Sequence, residues 1–376
     1  MRNNRPEGLR TWIEIDKKTM RHNYQSIRGT LSPKTKLMAV VKSNAYGHSL
    51  VDFSREVVKL GADWLGVDSL VEGVRLREEG ITLPILVLGY TLPENFKEAV
   101  GKKISIGISS AEQIRELIRL KTPCAIHLKI DTGMHRQGFF LKDIPSAILQ
   151  LKKAPWIKIE GVFTHLAGKD PYNLKENRSQ IEIYNNACAL LSDAGFIFIR
   201  HLGATWGTVA FPEAHFDMVR VGIGLYGMWP SEDIHNAFSK KMVLKPILAW
   251  KTILSEIKKL PRSGGIGYEF TEYLKEGTII GICPIGYWHG YPRALSAVGN
   301  VLVRGIRAKI LGRVSMDMIA IDLSKIKNAK EMDEVVLIGK NGNEEITAEE
   351  FTSRIPGSSH YEVVTRINPL IKRIYK

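Results

Sequence analysis

Lys42 closes the short valine-rich run Met38-Ala39-Val40-Val41 and is followed at once by Ser43-Asn44-Ala45-Tyr46-Gly47. The run reads as a buried strand and the polar cluster as a turn, which puts the lysine at a strand end. An amine there either reaches out to water or stays inside with a depressed pKa, and the second arrangement makes it nucleophilic enough for imine chemistry with a carbonyl. A lone lysine is more often a surface cap. Other polar residues occupy the same kind of position, however. Lys129-Ile130-Asp131-Thr132-Gly133-Met134-His135-Arg136 ends one apolar run, His165 ends another, His201 with Thr205 beyond it a third, and Arg220 lies in a fourth. Singly, His165 and His201 read as satisfied core histidines, and Arg136 and Arg220 as ion-pair partners. Their shared position favours a site instead.

The elements that must carry these residues follow from periodicity. From residue 17 to about 229 the chain alternates short apolar runs with amphipathic stretches. The runs are Leu37-Val41, Trp64-Val67, Ile85-Leu88, Ile104-Ile108, Ala125-Ile130, Ile159-Thr164, Ile197-His201 and Met218-Val221. Between them, Ser49-Leu60, Ser69-Glu79, Ser110-Leu120 and Leu174-Ala194 read as helices, several opening on a serine able to cap them. Eight such units predict a (β/α)8 barrel, a fold of ~250 residues whose chemistry sits at the strand C-termini. A doubly wound sheet is the second choice. After Pro230 the segments Ile247-Lys259, Thr278-Ile285, Asn300-Val303, Arg307-Gly312, Met318-Asp322 and Glu334-Ile338 are short, rich in Val and Ile, and bounded by turn residues. The expected division is a barrel over residues 1–240 and a mainly β domain over 241–376, with a strand within 9–15 joining the β domain.

Composition removes several classes of function. The 376 residues are 44% hydrophobic, enough for a packed core. No apolar stretch approaches a membrane span, and the N-terminus shows no apolar leader core. Cys124, Cys188 and Cys283 are far apart and odd in number, which argues against a disulfide framework or a metal site and fits a reducing cytoplasm. The formal charge of +14 is spread along the chain rather than gathered in a stripe, so a solvated basic surface is expected rather than a nucleic-acid interface. The G-x-G-x-x-G at Gly222-Gly227 follows a strand, but Met228-Trp229-Pro230 rather than a helix comes next and no acidic residue stands at the ribose offset. Those glycines suit a single phosphate better.

Val41-Lys42-Ser43-Asn44-Ala45-Tyr46-Gly47-His48 resembles the lysine motif of the alanine racemase family. The likeness continues in family order through Lys129-x-Asp131-Thr132-Gly133-Met134-x-Arg136, Thr164-His165, Arg220-x-Gly222-Ile223-x-x-Tyr226-Gly227, Gly267-Tyr268, Pro284-Ile285-Gly286-Tyr287, Gly312-Arg313-Val314-Ser315-Met316-Asp317 and Tyr361-Glu362-Val363. The resemblance implies a cytoplasmic pyridoxal 5'-phosphate (PLP) enzyme that interconverts L- and D-alanine, supplies D-alanine for peptidoglycan, and works as a head-to-tail homodimer with shared sites. It implies that Lys42 binds PLP as an imine, that Tyr46, Thr205, Tyr361 and the backbone of Gly222 and Ile223 hold the phosphate, and that Arg220 faces the pyridine nitrogen, with His165 and His201 in the cofactor surroundings. It gives Arg136 to the substrate carboxylate, Lys129 to its support, often as a carbamate, and Met316 and Asp317 of the partner subunit to the substrate side.

Racemisation removes the Cα proton from one face and returns one to the other, so two opposed acid/base groups are needed. Lys42 would serve the D-side and Tyr268 of the partner subunit the L-side. A phenol with a reference pKa of about 10 needs acidifying neighbours, for which His165 and Arg220 are the candidates. The chain departs from the family pattern at Ser43, Ser49, Ala204, Glu269, Trp288, His289 and Leu370. The changes at Trp288 and His289 keep a broad-specificity or serine/ornithine-type racemase as the alternative; a non-enzymatic PLP-binding protein and a related decarboxylase rank lower.

Overall fold

The computed structural model describes residues 6–168 and 170–376; Met1–Arg5, part of the stretch read for a leader, and position 169 lie outside these. The chain divides into two compact units: residues 18–45 with 50–246, and the N-terminal residues to Lys17 with 46–49 and 247–376.

In the first unit the strands Lys36–Val40, Trp64–Val67, Ile85–Val87, Ser105–Ile108, Cys124–Lys129, Ile157–Phe163, Ile199–His201 and Met218–Val221 form a closed barrel. Closure is a parallel pairing of first strand to last, Met38 with Arg220 and Ala39 with Val221. The doubly wound alternative, an open sheet, is thereby excluded. Met38, Trp64, Leu86 and Met218 pack together inside, against the partly buried Leu88 and Ile199. The seventh strand starts at Ile199 rather than Ile197, because the Ile197 side chain faces solvent and gains nothing from the sheet. Helices between strands bury one stripe each, as in Lys175–Asp193, where Tyr184, Ala187, Cys188 and Leu191 recur at helical spacing.

The serine caps divide. Ser110 accepts the Gln113 N–H, whereas Ser69 makes no side-chain cap bond, and the N–H of Leu50 is taken by Asn44 Oδ1 at 2.8 Å.

The second unit is built on a ten-stranded sheet. Thr11–Ile15 lies antiparallel to Leu248–Ile253 and parallel to Arg373–Tyr375. The segment 247–259 holds two strands. After Leu248–Ile253 the chain changes partner, Leu254 bonding to Asp333 and Ser255 to Ile282, and Glu256–Lys259 then pairs with Ile279–Cys283. A separate two-stranded ribbon, Gly264–Ile266 with Glu272–Leu274, carries Tyr268 between its strands.

Gly227 has φ +82°, and a Cβ there would lie 1.7 Å from the carbonyl oxygen of Lys245. The left-handed conformation alone costs a side chain about 1–2 kcal/mol. Gly227→Ala should therefore lower stability by at least ~2 kcal/mol, seen as a fall of about 4 °C or more in Tm by calorimetry; an unchanged Tm would refute this packing.

Candidate active site

The chain leaves the first barrel strand through an unusual backbone. Ser43, Asn44, Ala45 and Tyr46 all have φ between 51° and 56°, one left-handed turn, with the Ala45 N–H bonded to the Val41 carbonyl at 2.8 Å. Four such non-glycine residues in a row carry strain of about 1–2 kcal/mol each. Glu72 offsets part of it. One carboxylate oxygen accepts the Asn44 N–H at 3.2 Å and the other the Asp68 N–H at 2.9 Å. Lys42 Nζ lies 3.3 Å from Asp68 Oδ1, with both side chains partly exposed. The amine therefore reaches the strand-end rim and meets a carboxylate. Asp68 escaped the sequence reading although it, too, directly follows an apolar run; that position was its only signal.

Across the rim, Lys129, Asp131, Arg136, Gln137, Thr164 and His165 line one small cleft. Asp131 Oδ1 shapes it by accepting the N–H groups of Gly133 and His135, each at 3.0 Å. Lys129 is nearly buried and donates to Gln137 Oε1 at 3.1 Å. Burial, then the cations of Arg136, Arg220 and Lys42, push its pKa down to about 8. Burial and the same kind of positive surroundings, Arg220 first, push His165 down to about 3. His165 is thus neutral at physiological pH. Of the two ways it could act on a phenol, by charge or by hydrogen bonding, His165 keeps the second: the ring can exchange a hydrogen bond but supplies no charge.

Arg220 is buried. Its NH1 donates to the His201 carbonyl at 2.7 Å and approaches His201 Nδ1 at 3.2 Å, and its NH2 donates to the carbonyls of Thr164 at 2.6 Å and Leu202 at 3.1 Å. None of these partners is a carboxylate, which sets Arg220 apart from an ordinary ion pair, and Nε takes none of the bonds. Burial lowers its pKa to about 10, so it stays cationic at neutral pH. His201 is completely buried and meets Arg220 through its carbonyl and its Nδ1. Thr205 Oγ1 accepts the Gly224 N–H at 3.3 Å, and Gly222 precedes the 3-10 turn Ile223–Tyr226, whose opening N–H groups have no partner within the turn.

In the second unit the rings of Tyr46 and Tyr361 are 6.2 Å apart, and burial, then Tyr46, push the Tyr361 phenol up. Tyr268 opens the short turn Tyr268–Phe270 at the end of the ribbon and is 70% exposed. With Gly267, Arg313, Ser315 and Met318 it lines another cleft. Glu269 has φ +62° and pairs with Arg313, so the position where glycine is common keeps the glycine conformation despite its side chain. Met316 and Asp317 are exposed, and the Met316 carbonyl accepts the Trp288 N–H at 3.0 Å. His289 is buried and its Nδ1 accepts the Gly286 N–H at 3.1 Å, a structural use of that departure. Among the described residues no group of three metal-ligating side chains clusters.

Acylation by acetic anhydride, followed across pH by peptide mapping, should give Lys129 a midpoint near 8, below the ordinary lysine value. Arg136→Met removes a repelling cation, so the midpoint should move up; a midpoint at the ordinary lysine value in the unaltered chain would refute the electrostatic reading.

Residues 15–230 match the family model described as alanine racemase, N-terminal domain, and residues 247–375 the one for the alanine racemase C-terminal domain. An alanine racemase of Syntrophobacter fumaroxidans is 38% identical, with 95% of each chain covered. One of Carboxydothermus hydrogenoformans is 37% identical over 97% of this chain and 99% of the other. Among solved structures, the alanine racemase of Clostridium difficile superimposes with a TM-score of 0.93 at 32% identity, covering 99% of this chain and 97% of that one. The alanine racemase of Bacillus anthracis, with bound L-Ala-P, gives the same TM-score and identity over 99% and 96%.

Proposed function

The chain belongs to the alanine racemase family and is an isomerase that interconverts L- and D-alanine, and we propose that it does so with PLP, as a homodimer with shared sites. The observation that carries the cofactor reading is the cationic rim: the charges of Arg136, Arg220 and Lys42 all act on Lys129, and none of the partners of buried Arg220 named above is a carboxylate. Such a rim suits a dianionic phosphate and a substrate carboxylate. When bound, PLP withdraws electrons from the amino acid and makes its Cα–H acidic.

The chain's own residues would do the rest. Lys42 holds the cofactor's aldehyde carbon. Tyr46, Thr205, Tyr361 and the N–H groups of Gly222 and Ile223 hold the phosphate. Arg220 would face the ring nitrogen and, remaining charged, would give it no proton. His165, neutral, contributes a hydrogen bond. Arg136 holds the substrate carboxylate, supported by Lys129, whose low pKa leaves it reactive enough to take up carbon dioxide as a carbamate. Lys42 exchanges the proton on one face of Cα, and Tyr268 of the partner subunit on the other, with Met316 and Asp317 beside it. Among the described residues no helix is long and apolar enough to cross a membrane, and we place the enzyme in the cytoplasm, supplying D-alanine for peptidoglycan.

The purified chain with PLP should convert L-alanine to D-alanine, followed by chiral chromatography, in preference to serine, lysine or ornithine. Lys42→Ala should lose both turnover and borohydride-fixable cofactor. Tyr268→Phe should lower kcat by about 10²–10⁴. Mixed and refolded together, the two variants should recover ~a quarter of the activity, because a heterodimer with shared sites contains one intact pair. Full rate in Tyr268→Phe would overturn the two-base reading, and no recovery on mixing would overturn the shared site.

A further inference from the structure

A line of polar side chains crosses the barrel interior and ends on Arg220. Ser105 Oγ, on the first residue of its strand, donates to Glu160 Oε2 at 2.6 Å. The same oxygen lies 3.5 Å from His127 Nε2, a polar approach longer than a hydrogen bond, and among the described residues this buried nitrogen has no hydrogen-bond partner. His127 Nδ1 is 2.8 Å from His201 Nε2, and His201 Nδ1 is 3.2 Å from Arg220 NH1. His127 and His201 are wholly buried.

Proton positions along this line follow by elimination. A guanidinium has no acceptor, so it donates and His201 Nδ1 must present its lone pair. Burial keeps His201 and His127 neutral, so the single proton of His201 is on Nε2. That N–H points at His127 Nδ1, which must therefore be bare, because two N–H groups cannot meet at that distance. The His127 proton is left on Nε2, aimed at Glu160. From guanidinium to carboxylate each N–H is directed the same way, so that each polarises the next, and Ser105 donates to the carboxylate from the other side.

The surroundings hold the rings in these orientations. Phe163 stacks on His201 at 5.1 Å and Trp64 meets His127 edge-on at 5.2 Å. The backbone N–H of His201 donates to Tyr184 Oη, which donates to the Val162 carbonyl. Beside Glu160, a Cβ on Gly161 would lie 2.2 Å from His127 Nδ1, so the absence of a side chain there makes room for the ring.

We propose that Glu160 and His127 are positioning residues that act through His201: the carboxylate fixes both imidazoles as Nε2–H tautomers, and this keeps His201 Nδ1 as the acceptor that orients Arg220. The catalytic consequence rests on the reading of Arg220 as the partner of the PLP ring nitrogen, since an arginine that swings or tilts no longer faces it. The hydrogen-bond chain itself does not rest on it.

The test is long-range ¹H–¹⁵N spectroscopy of ring-labelled histidines in the full chain at neutral pH, with and without PLP, beside steady-state kinetics of the holoenzyme. In the unaltered chain both rings should show a protonated Nε2 and a bare Nδ1. Glu160→Ala removes the end acceptor, so the two rings should switch tautomer together in part of the molecules, leaving Arg220 NH1 with the His201 carbonyl alone, and kcat should fall roughly tenfold, at the low end for loss of an outer hydrogen-bond partner, with KM for alanine changed less than twofold. Glu160→Gln keeps an oxygen for His127 and should restore both the tautomers and most of kcat. Protonated Nδ1 in either ring of the unaltered chain, or Glu160→Ala with unchanged tautomers and kcat, would overturn the proposal, as would a Glu160→Gln protein that folds yet rescues neither. If the tautomers are as expected but no cofactor-dependent racemisation occurs, the PLP reading fails while the tautomer assignment stands.

Discussion

A buried cation must be surrounded by acceptors or it will not be buried, and Arg220 is where this barrel meets that constraint. Its two terminal nitrogens bind the carbonyls of Thr164, His201 and Leu202. The ends of two neighbouring strands are thereby tied to the strand that closes the barrel against Met38 and Ala39. Because the acceptors are neutral, the positive charge is not cancelled locally. It reaches the surrounding groups, lowering the proton affinity of both Lys129 and His165. One guanidinium therefore organises the strand ends and, after burial and together with Arg136, lowers the proton affinity of the residues around them.

The turn after Lys42 is the second expensive feature. Left-handed backbone over four residues is unfavourable for L-amino acids, and its persistence requires compensation. The bonds through Glu72 and the Asn44 side chain provide it, joining the turn to Asp68 and to the helix Leu50–Lys59. The lysine is thus fixed at its base while its amine stays accessible at the rim, the combination an imine-forming residue requires. In the second unit, Gly47 continues the same backbone with φ +83°, and a Cβ there would lie 1.9 Å from the Val364 carbonyl. The Gly47 carbonyl accepts from Arg373 Nε at 2.9 Å, which ties it to the C-terminal strand Arg373–Tyr375.

Much of this was legible in the sequence because the signals are local. Alternation of apolar runs and amphipathic stretches follows from the two periods of strand and helix, and it located the eight barrel strands to within about two residues. The motifs around Lys42, Lys129, Arg220 and Tyr268 carried the family, since residue type and spacing are what a motif is. The break within 247–259, the ribbon that bears Tyr268 and the terminal strand Arg373–Tyr375 were not legible. Each is short, and each exists through the strand it pairs with rather than through its own pattern.

Sequence alone therefore determined the fold class and the family, and named the candidates for the site. Tertiary structure alone decided their states: that Lys42 meets Asp68, that His165 is neutral, that Arg220 has carbonyls and an imidazole but no carboxylate, and that His127, Glu160 and Ser105 stand behind it. The physical reason is that protonation, tautomer and charge depend on burial and on partners far apart in the chain, such as Ser105 and Glu160 or His127 and His201. No spacing rule brings such residues within hydrogen-bonding distance; barrel closure does.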